Sequence, residues 1–526
     1  MKHCLKSLFS LIVILISIRC STPSEENEDR PPNILVIMAD DMGYSDLGCY
    51  GSEITTPNLD QLARNGIRFR SFYNAARCCP SRAALLTGLY PHEAGMGGMV
   101  SSIDANPDPG PYQGFLNNRC VTMAEVLKGA GYNTYMSGKW HVGEKAEYWP
   151  RKRGFDRYFG LISGGSSYYE IIKNQPLVRQ MALDDTPWEP PAEGFYMTDA
   201  ISDFAVSFLD EHFASQQPQP FFMYLAYTAP HWPLHALPED IQKYEGIYDT
   251  GWEALREERY KNMLAQGIID STYLLSPQSV DIPTWQDVED QEEWVRRMTV
   301  YAAMIDRMDQ GIGRVVDALQ AYQAFENTLI IFLSDNGGSD ENISGRNLHN
   351  PEVPIGERGS YAAYREPWAN VSNTPFRKYK KWTHEGGIST PFIMHWPAGT
   401  QRSGELETNY AHIVDIMATC VDVAGATYPE TFQGNVIKSM RGQSLRWALE
   451  DENRSATPTL YWEHFGHKAV RQGNWKLVSS PTDHPWELYN LEQDPAELND
   501  LSADHPDKVE ELTALYQQWA DEVGVK

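Results

Sequence analysis

Positive charge, cysteine and long apolar runs are all scarce in this sequence. Its 526 residues contain 44 Lys and Arg against 71 Asp and Glu, which gives a formal net charge of -27 at pH 7. A general nucleic-acid-binding protein needs a broad basic face, so we predict no nucleic-acid partner. An anionic substrate would need a local basic site within this repelling field. Apolar residues make up 42% of the chain, which excludes a disordered or collagen-like protein.

An apolar run near the N-terminus resembles an export signal. Lys2 and Lys6 precede apolar residues from Leu8 to Ile18, which is the order of charge and hydrophobicity in secretory signal peptides. The run is shorter than the ~20 residues that a membrane-spanning helix needs. We therefore predict a signal peptide over residues 1–20 and an exported bacterial protein, either periplasmic or membrane-anchored.

The residues after this run suggest attachment to a membrane through a lipid. Cys20 follows the run directly, as at a lipoprotein cleavage site, although Arg19 stands where such sites favour small residues. Residues 21–31 are acidic and are typical of a flexible linker. No other segment of the sequence is long and apolar enough to cross a membrane.

The cysteines beyond this N-terminal region do not suggest a disulfide framework. An odd and sparse set is unusual for a disulfide scaffold in an exported chain of this length. One of them is therefore a candidate for special chemistry, with a buried free thiol as the alternative. Besides Cys4 and Cys20, the cysteines are Cys49, Cys78, Cys79, Cys120 and Cys420.

Four short apolar runs predict the strands of a buried sheet. They are almost continuous in Val, Ile, Leu and Phe, as in parallel strands that are covered on both faces. Helical patterns separate them, such as the capping box of Thr122 with Glu125 and the amphipathic stretch Arg297–Leu319. This alternation indicates an α/β fold with a large, mixed but mostly parallel sheet between layers of helices. The four runs are Asn33–Met38, Pro220–Tyr227, Thr328–Ser334 and Pro391–Trp396.

The pattern changes near residue 441. Short β-like runs replace the long alternation, so we predict a catalytic domain over residues 32–440 and a smaller C-terminal α+β subdomain over residues 441–526. The runs are Thr459–Trp462, Lys468–Arg471 and Trp475–Val478, followed by a helix over Pro506–Glu522.

Acidic and amide side chains follow two of the predicted strands. Asp40 and Asp41 come after the first strand, and Asp335 and Asn336 come after another. The carboxyl ends of strands are where ligands bind in such sheets. These are hard oxygen ligands, which suit Ca²⁺ or Mg²⁺ better than zinc. Helix capping or turn formation explains either pair alone, but two pairs in the same setting favour a metal site.

Other segments carry residues that could act on an anion. Pro80 fits the first turn of a helix, which places Cys78 just before a helix N-terminus, where a thiol pKa falls and oxyanions bind. Lys139 and His141 follow a short strand-like run and would share one face of a strand, or else they belong to a surface loop. His231 follows the second strand, with a packed or solvated loop residue as the alternative.

A basic run around Lys380 completes the set, although such a run is usually a solvated face. Together these residues suit a tetrahedral oxyanion ester. A metal and cations would hold the anion, and the histidines would move protons.

These motifs resemble those of the formylglycine-dependent sulfatases, a branch of the alkaline phosphatase superfamily. Residues 78–82, Cys-Cys-Pro-Ser-Arg, have the form of the Cys-x-Pro-Ser-Arg maturation signature of that family, and Thr87-Gly88 continues it. Asp40-Asp41, Gly138–His141 and the Asp-Asn-Gly-Gly of residues 335–338 match in order. The stretch 229–259 looks most like the bacterial arylsulfatase-type subgroup. The resemblance covers nearly the whole chain after Pro32 and implies an alkaline phosphatase-like fold.

The resemblance implies a nucleophile and a metal. Cys78 would be oxidised to formylglycine by a formylglycine-generating enzyme, and one oxygen of the hydrated aldehyde would attack sulfur. A single Ca²⁺ would be held by Asp40, Asp41, Asp335 and Asn336 together with the modified residue 78.

The resemblance also implies roles for the basic residues. Arg82 and Lys139 would stabilise the hydrated aldehyde, and Lys139 and Lys380 would bind the sulfate. His231 would protonate the leaving oxygen, and His141 would then take a proton so that sulfate is expelled. Lys380 is preferred over its neighbour Lys381 because it lies five residues before Glu385, the spacing of the family.

The implied substrates are sulfated carbohydrates or aryl sulfates. Export favours exo-acting removal of sulfate from sulfated glycans. His92, the stretch 164–169, His464 and His467 are candidates for the mouth of the pocket. Two other functions stay open, a phosphomono- or phosphodiesterase of the same superfamily and a catalytically inert, exported glycan-binding protein.

Overall fold

The large sheet is built from strands whose alternate side chains enter two different cores.

The structure is a computed structural model that describes residues 30–100, 110–173, 178–216, 218–346, 348–450, 452, 454, 457–481 and 485–526. The predicted signal peptide, with Cys4 and the proposed anchor Cys20, lies outside the described residues, as does most of the linker. Among the described residues, no helix combines the length and the apolar character that crossing a bilayer requires.

The strands have the following bounds: β1 Asn33–Asp40, β2 Ile67–Tyr73, β3 Asn133–Gly138, β4 Arg157–Leu161, β5 Met181–Leu183, β6 Thr186–Trp188, β7 Phe221–Pro230, β8 Thr328–Ser334, β9 Ser389–His395, β10 Glu405–Glu407, β11 Ala411–His412, β12 Thr431–Phe432, β13 Asn435–Val436, β14 Leu460–His464, β15 His467–Gln472, β16 Trp475–Ser479 and β17 Glu487–Asn490.

The helices are α1 Pro57–Arg64, α2 Cys78–Thr87, α3 Met123–Gly129, α4 Met197–Ala214, α5 Pro238–Gln242, α6 Gly251–Ala265, α7 Gln291–Ala321, α8 Arg365–Ser372, α9 Glu385–Ile388, α10 Val414–Val423, α11 Arg446–Leu449 and α12 Pro506–Val523. The predicted capping box is present at the start of α3, where Thr122 and Glu125 exchange hydrogen bonds.

The large sheet has the strand order β10-β2-β9-β8-β1-β7-β3-β4-β5-β6, with β11 also paired to β2. Its centre is parallel, because β1 pairs in parallel with both β7 and β8, and β3 pairs in parallel with β7 and β4. This confirms the predicted mixed, mostly parallel sheet. The fourth apolar run departs from the prediction of a parallel strand, because β9 runs antiparallel to β8 and β2. A strand buried on both faces is apolar in either direction, so composition does not reveal its direction.

Two layers of helices cover the sheet. Ile34 and Val36 of β1 pack into the core beneath α2, α3 and α10, whereas Leu35 and Ile37 pack into the core beneath α1, α4 and α7. Successive side chains of a strand point to opposite faces, so β1 has no face left for solvent. This explains the almost continuous apolar composition of the run.

A separate antiparallel sheet lies near the C-terminus. Strands β14, β15, β16 and β17 form it in sequence order, and α12 packs against it through residues such as Leu512 and Trp519. This agrees with the predicted α+β subdomain, although β17 was not anticipated. The boundary at residue 440 stays a prediction.

Buried ion pairs join the C-terminal sheet to the rest of the fold. Lys476 on β16 is fully buried, and its Nζ lies 2.7 Å from Glu385 Oε1 and 2.8 Å from Glu497 Oε1. Glu385 also accepts a hydrogen bond from the hydroxyl of Tyr73 on β2 at 3.0 Å. One ammonium group therefore satisfies carboxylates from two parts of the chain.

Replacement of Lys476 tests how much these buried ion pairs contribute to the free energy of unfolding. We expect Lys476→Met to lower the free energy of unfolding by about 3 to 5 kcal/mol, because two buried carboxylates lose their cation. Lys261→Met is the matched control, since Lys261 forms an exposed pair with Glu257, and it should cost less than about 1 kcal/mol. Unfolding by urea would measure both values, and equal values for the two variants would contradict the junction.

Candidate functional site

Parallel pairing brings the segments that follow β1, β7 and β8 to one edge of the large sheet. In the register of β1, Asp40 lies opposite Pro230 of β7, and Ala39 lies opposite Ser334 of β8. The residues that come next therefore converge where ligands bind in open α/β sheets. They are Asp41 after β1, His231 after β7, and Asp335 and Asn336 after β8.

The three predicted carboxylates are buried in one hydrogen-bonded cluster. Asp41 Oδ1 accepts a hydrogen bond from Asn336 Nδ2 at 2.8 Å, and Asp335 Oδ1 accepts one from the Asp41 backbone N–H at 3.2 Å. Burial raises the pKa of Asp40 well above its ordinary value, and the nearby Asp335 adds to the rise. Like charges held together away from water are costly, so this cluster needs cations.

Three cationic side chains meet that need, and all three are among the site residues that the family resemblance implied. All three are almost completely buried, so none of them is a solvated surface group. Their pairing leaves the cluster near neutrality when it is counted with its three carboxylates. The pairs are Lys139 Nζ with Asp40 Oδ2 at 2.6 Å, Arg82 Nη2 with Asp335 Oδ2 at 2.8 Å, and Lys380 Nζ with Asp41 Oδ2 at 2.8 Å.

The same cluster has the properties of a site for a divalent cation. Asp40 Oδ1 and Asn336 Oδ1 are buried and have no hydrogen-bond partner among the described residues. Ligand atoms of Asp40, Asp41 and His231 lie within 4.8 Å of one another. Buried acceptor oxygens without donors are rare in folded proteins. Hard oxygen ligands in this arrangement fit Ca²⁺, and Asp40, Asp41, Asp335 and Asn336 could hold it.

Cys78 is the first residue of α2 and is almost fully buried. The prediction placed it just before the helix, whereas Arg77 is the capping residue, in extended conformation. The hydrogen bond from the Cys79 thiol, with Lys139 and His141 nearby, holds the pKa of the Cys78 thiol well below its ordinary value. The positive end of the helix acts in the same direction. A thiol at this position is an unusually acidic one.

Arg82 lies one turn further along α2 and is held from three sides. Besides its pair with Asp335, its guanidinium donates to the backbone carbonyl of Lys139 at 3.1 Å and to the hydroxyl of Tyr224 at 3.3 Å. Arg82 therefore fixes α2, and with it Cys78, against β7 and β8. A planar group with several donors is suited to such a junction.

Lys139 and His141 reach the site by a route that the sequence did not predict. Strand β3 ends at Gly138, and His141 has a positive φ of 53°, so the two residues do not share a strand face. They are not in a surface loop either, because Lys139 is 0% and His141 7% exposed. Gly138 permits the close turn, since a Cβ there would lie 1.8 Å from the Ala226 carbonyl oxygen.

His231 is oriented by its own backbone neighbourhood. Its Nδ1 lies 2.5 Å from the Trp232 carbonyl oxygen, which only accepts, so Nδ1 carries hydrogen and Nε2 faces Asp41 Oδ2 at 3.6 Å. The hydroxyl of Tyr168 donates to the carbonyl oxygens of Thr228 and His231 and fixes this turn. Burial lowers the pKa of His231 to about 3, and the same cause lowers the pKa of His141 to about 4.

Two adjacent glycines pack against the two histidines. A Cβ at Gly164 would lie 2.5 Å from His141 Nε2, and a Cβ at Gly165 would lie 3.0 Å from His231 Cε1. Both distances are shorter than or at the limit of ordinary contact. The predicted stretch 164–169 therefore lies at the site and touches both histidines.

Lys380 and not Lys381 is the lysine that reaches the acidic cluster. Besides Asp41, the ammonium group of Lys380 contacts Glu341 Oε2 at 3.3 Å. Burial lowers the pKa of Lys380, but Asp41 and Glu341 outweigh burial and hold it above its ordinary value. Lys381 is half-buried and has a positive φ of 76°. The basic run thus contains one buried lysine directed into the site.

The three histidines predicted for the pocket mouth lie on or beside the C-terminal sheet. His92 Nε2 lies 2.7 Å from Glu463 Oε2, and its ring packs against Tyr112 and Trp519. His464 and His467 face each other across the hairpin of β14 and β15, and His464 Nδ1 lies 3.3 Å from the Gly97 carbonyl oxygen. The described contacts of His92 are with other residues than the acidic cluster, and its role in substrate binding stays a prediction.

Sequence reasoning missed two residues that organise the site. Glu341 accepts hydrogen bonds from Lys380, Trp232 and Arg77, and Tyr224 contacts Arg82. A single acid in an acid-rich chain gives no signal. Tyr224 could have been found, because its hydroxyl stands inside an otherwise apolar strand and needs a partner.

The assembled residues can bind and activate a tetrahedral anion. Buried cations lie beside hard oxygen ligands, and an acidic thiol position lies at a helix N-terminus. His141 lies beside the thiol, and His231 lies beside Asp40 and Asp41. The set provides charge neutralisation, a nucleophile position and proton transfer in one place.

Two family models match this chain, and so do individual sulfatases. Residues 32–426 match the family model described as Sulfatase, and residues 376–522 match the model described as N-sulphoglucosamine sulphohydrolase, C-terminal. An uncharacterized sulfatase of Schizosaccharomyces pombe is 34% identical over 95% of this chain and 96% of its own length. The arylsulfatase of Klebsiella aerogenes is 35% identical over 80% of this chain and 92% of its own.

The fold is also similar to solved structures. The crystal structure of Ps i-CgsB has a TM-score of 0.70 and 28% identity, covering 93% of each chain. The same protein has been solved with a neocarrahexaose, with a TM-score of 0.68.

The packing of Gly164 yields a prediction about His141. We expect Gly164→Ala to lower sulfate release from an aryl sulfate by tenfold or more, on the order of effects seen when a catalytic group is displaced, because the added methyl group forces the imidazole to move. Gly129→Ala is the control, since a Cβ there meets no atom within 4 Å. Thermal unfolding of both variants should stay close to that of the wild type. Full activity of Gly164→Ala would contradict the assigned contact.

Proposed function

The chain belongs to the sulfatase family and hydrolyses sulfate esters, and we propose that it does so with a formylglycine at position 78 and one Ca²⁺, as an exported, exo-acting carbohydrate sulfatase. The observation that carries this proposal is the position of Cys78. It begins α2 at the sheet edge where Lys139, His141 and the acidic cluster meet.

Ca²⁺ and formylglycine would each supply one kind of chemistry. Ca²⁺ would neutralise the carboxylates and polarise a sulfate oxygen, and the hydrated aldehyde of formylglycine would supply an oxygen nucleophile with a second hydroxyl. Asp40, Asp41, Asp335 and Asn336 would hold the metal. The unpartnered oxygens of Asp40 and Asn336 support this assignment.

The chain's own cations would position the sulfate group. Lys139 and Lys380 bracket the acidic cluster, with Nζ atoms 2.6 and 2.8 Å from Asp40 and Asp41. They would bind sulfate oxygens from two sides, while Arg82 holds the helix that carries residue 78. Donors fixed in this way need little reorganisation when charge develops on the sulfate.

The two histidines would move protons on opposite sides of sulfur. His231 Nε2 points into the site because Nδ1–H is bound to a carbonyl oxygen. The ring would protonate the leaving oxygen from its imidazolium form, which the negative charge of the bound sulfate would favour. His141, beside residue 78, would remove a proton from the remaining hydroxyl so that sulfate departs. Gly164 packs against the His141 ring, and Gly165 packs against the His231 ring.

The substrate is proposed to be a sulfated carbohydrate. The support is the similarity to Ps i-CgsB, which has been solved with a neocarrahexaose, alongside the similarity to an arylsulfatase. The nucleophile and the proton donor are 2% and 6% exposed, which favours a sulfate group presented from the end of a glycan. The signal-like residues 1–20 support export, and Cys20 supports a lipid anchor.

Removal of the nucleophile position is the direct test. We expect Cys78→Ala to abolish release of inorganic sulfate from aryl sulfates and from sulfated galactose, glucosamine and fucose isomers. Cys78→Ser should allow at most one turnover, because a serine sulfate ester lacks the second hydroxyl that expels sulfate. The protein would be produced with a formylglycine-generating enzyme, and peptide mass spectrometry would confirm the residue at position 78.

Three outcomes would contradict the proposal. Sustained turnover by Cys78→Ser would contradict the nucleophile, and release of phosphate without sulfate from matching phosphate esters would favour the phosphoesterase alternative. Sulfate release from intact polymers but never from mono- or disaccharides would contradict exo-action.

Binding of the metal can also be measured through the thermal stability of the protein, independently of activity. A chelator should abolish sulfate release and lower the melting temperature, and Ca²⁺ should restore both, because a ligand that binds only the folded state stabilises it. In Asp40→Asn the Kd for Ca²⁺, read from melting shifts, should rise by at least about tenfold. Asp203→Asn, at an exposed ion pair with Arg314, should keep the wild-type shift. A Ca²⁺ shift that is equal in both variants would contradict the assigned ligands.

A further inference from the structure

The wall of the site beside His231 carries two arginines that the mechanism does not use. Arg179 is half-buried between β4 and β5, and Arg346 is exposed in the loop after β8. Neither forms an ion pair with any residue in the part of the chain that the structure describes. Surplus positive charge is unexpected in a protein with a net charge of -27.

Arg179 is attached to the backbone that supports His231. Its Nε donates to the Gly165 carbonyl oxygen at 2.8 Å, and Gly165 is the residue whose Cβ would touch the His231 ring. The guanidinium group of Arg179 therefore binds the backbone of Gly165, which in turn packs against the imidazole of His231. Glu144 is the acid whose charge reaches Arg179, yet burial and Arg346 together keep the pKa of Arg179 below its ordinary value.

Arg346 is connected to the same histidine through Trp232. Its guanidinium carbon lies 4.4 Å from the centre of the Trp232 ring, and that ring lies 4.4 Å from the centre of the His231 ring. Trp232 is in turn fixed by a hydrogen bond from its Nε1 to Glu341 at 2.6 Å. Arg346 thus rests on an aromatic surface that is anchored to the site.

Tyr361 connects the two arginines. Burial raises the pKa of Tyr361, while Arg346 and Arg179 both act to lower it, so both positive charges lie near its phenol group. The Tyr361 ring packs 6.1 Å from the Trp232 ring. The two guanidinium groups therefore face one aromatic patch beside His231.

Glu341, the acid that is bound to Trp232, does not compensate these charges. Glu341 is already paired with Lys380 at 3.3 Å and with Arg77 at 3.0 Å. Two like charges held close to each other are destabilising unless an anion is placed between them. The patch thus has the charge, the donors and the position of a binding site for a second anion.

We infer that Arg179 and Arg346 bind an additional anionic group, a sulfate or a carboxylate, on the leaving group of the substrate. The leaving group is the alcohol whose oxygen His231 would protonate. This rests on the proposed function, because it takes His231 as the group that faces the leaving oxygen. It narrows the substrate to glycans that carry a further acidic substituent near the cleaved sulfate. Guanidinium groups suit both anions, since their donors match paired oxygens.

Matched aryl sulfates test this inference on the full-length, matured protein. The three probes differ in one ring substituent, which is a neutral nitro group, a carboxylate or a sulfonate. The sulfonate imitates a sulfate ester but is not hydrolysed. The readout is the ratio of kcat/KM for each anionic probe to kcat/KM for the neutral probe, so that a general loss of activity cancels.

We expect Arg346→Gln and Arg179→Gln each to lower this ratio by about tenfold or more, as for loss of a hydrogen bond to a charged group. The anion whose ratio falls further is the one that the patch prefers. Arg64→Gln, which removes an exposed arginine at the end of α1, should keep the wild-type ratio.

Other results would overturn the inference. The ratio could be unchanged in both patch variants, or it could be lowered equally in Arg64→Gln. Either result would mean that only the overall electrostatic field of the protein acts on the anionic probes. A fall in kcat/KM that is equal for neutral and anionic probes would mean that these arginines only support the His231 backbone. Failure of the proposed function looks different, because the wild type would then release no sulfate from any probe, and the inference would fall with it.

Discussion

The structure depends on one electrostatic constraint, the gathering of three carboxylates at a single buried edge of the sheet. Parallel pairing of β1 with β7 and β8 brings these groups together, since each is the last residue of a strand or follows it directly. Their mutual repulsion in a region of low polarity is offset by three cations that arrive from α2, from the turn after β3 and from the loop before α9. The loops that build the site are therefore held in place by the same charges that the site needs for its chemistry.

Much of this arrangement was predictable from the sequence because it follows from local rules. Strand composition revealed the sheet, and the carboxyl ends of parallel strands meet at one edge, so Asp40, Asp41, Asp335 and Asn336 could be grouped from the sequence alone. The residues alone also pointed to Cys78 and the basic side chains, and the family resemblance added their roles and Arg82. The direction of β9 could not be predicted, because burial on both faces erases the alternation that carries such information.

The remaining features depend on contacts between distant segments. Glu341 and Lys380 are 39 positions apart in the chain, and His92 is bound to Glu463 some 371 positions away. Nothing in the local sequence around these residues specifies such partners. The turn at Gly138 and His141 is of the same kind, because the fit of the chain against β7 decides it and not a periodic pattern.

The order of the strands along the chain has a consequence for the timing of events during synthesis. Cys78 lies in the first sixth of the sequence, whereas β8, which helps to bury it, begins at Thr328. At about 5 to 20 residues per second, a ribosome needs roughly 12 to 50 s to cover that interval. During this period the thiol is on a nascent chain that cannot yet form the central sheet, and the proposed formylglycine-generating enzyme could reach it. Pairing of β8 with β1 would close this access, so the proposed modification of residue 78 would have to precede completion of the central sheet.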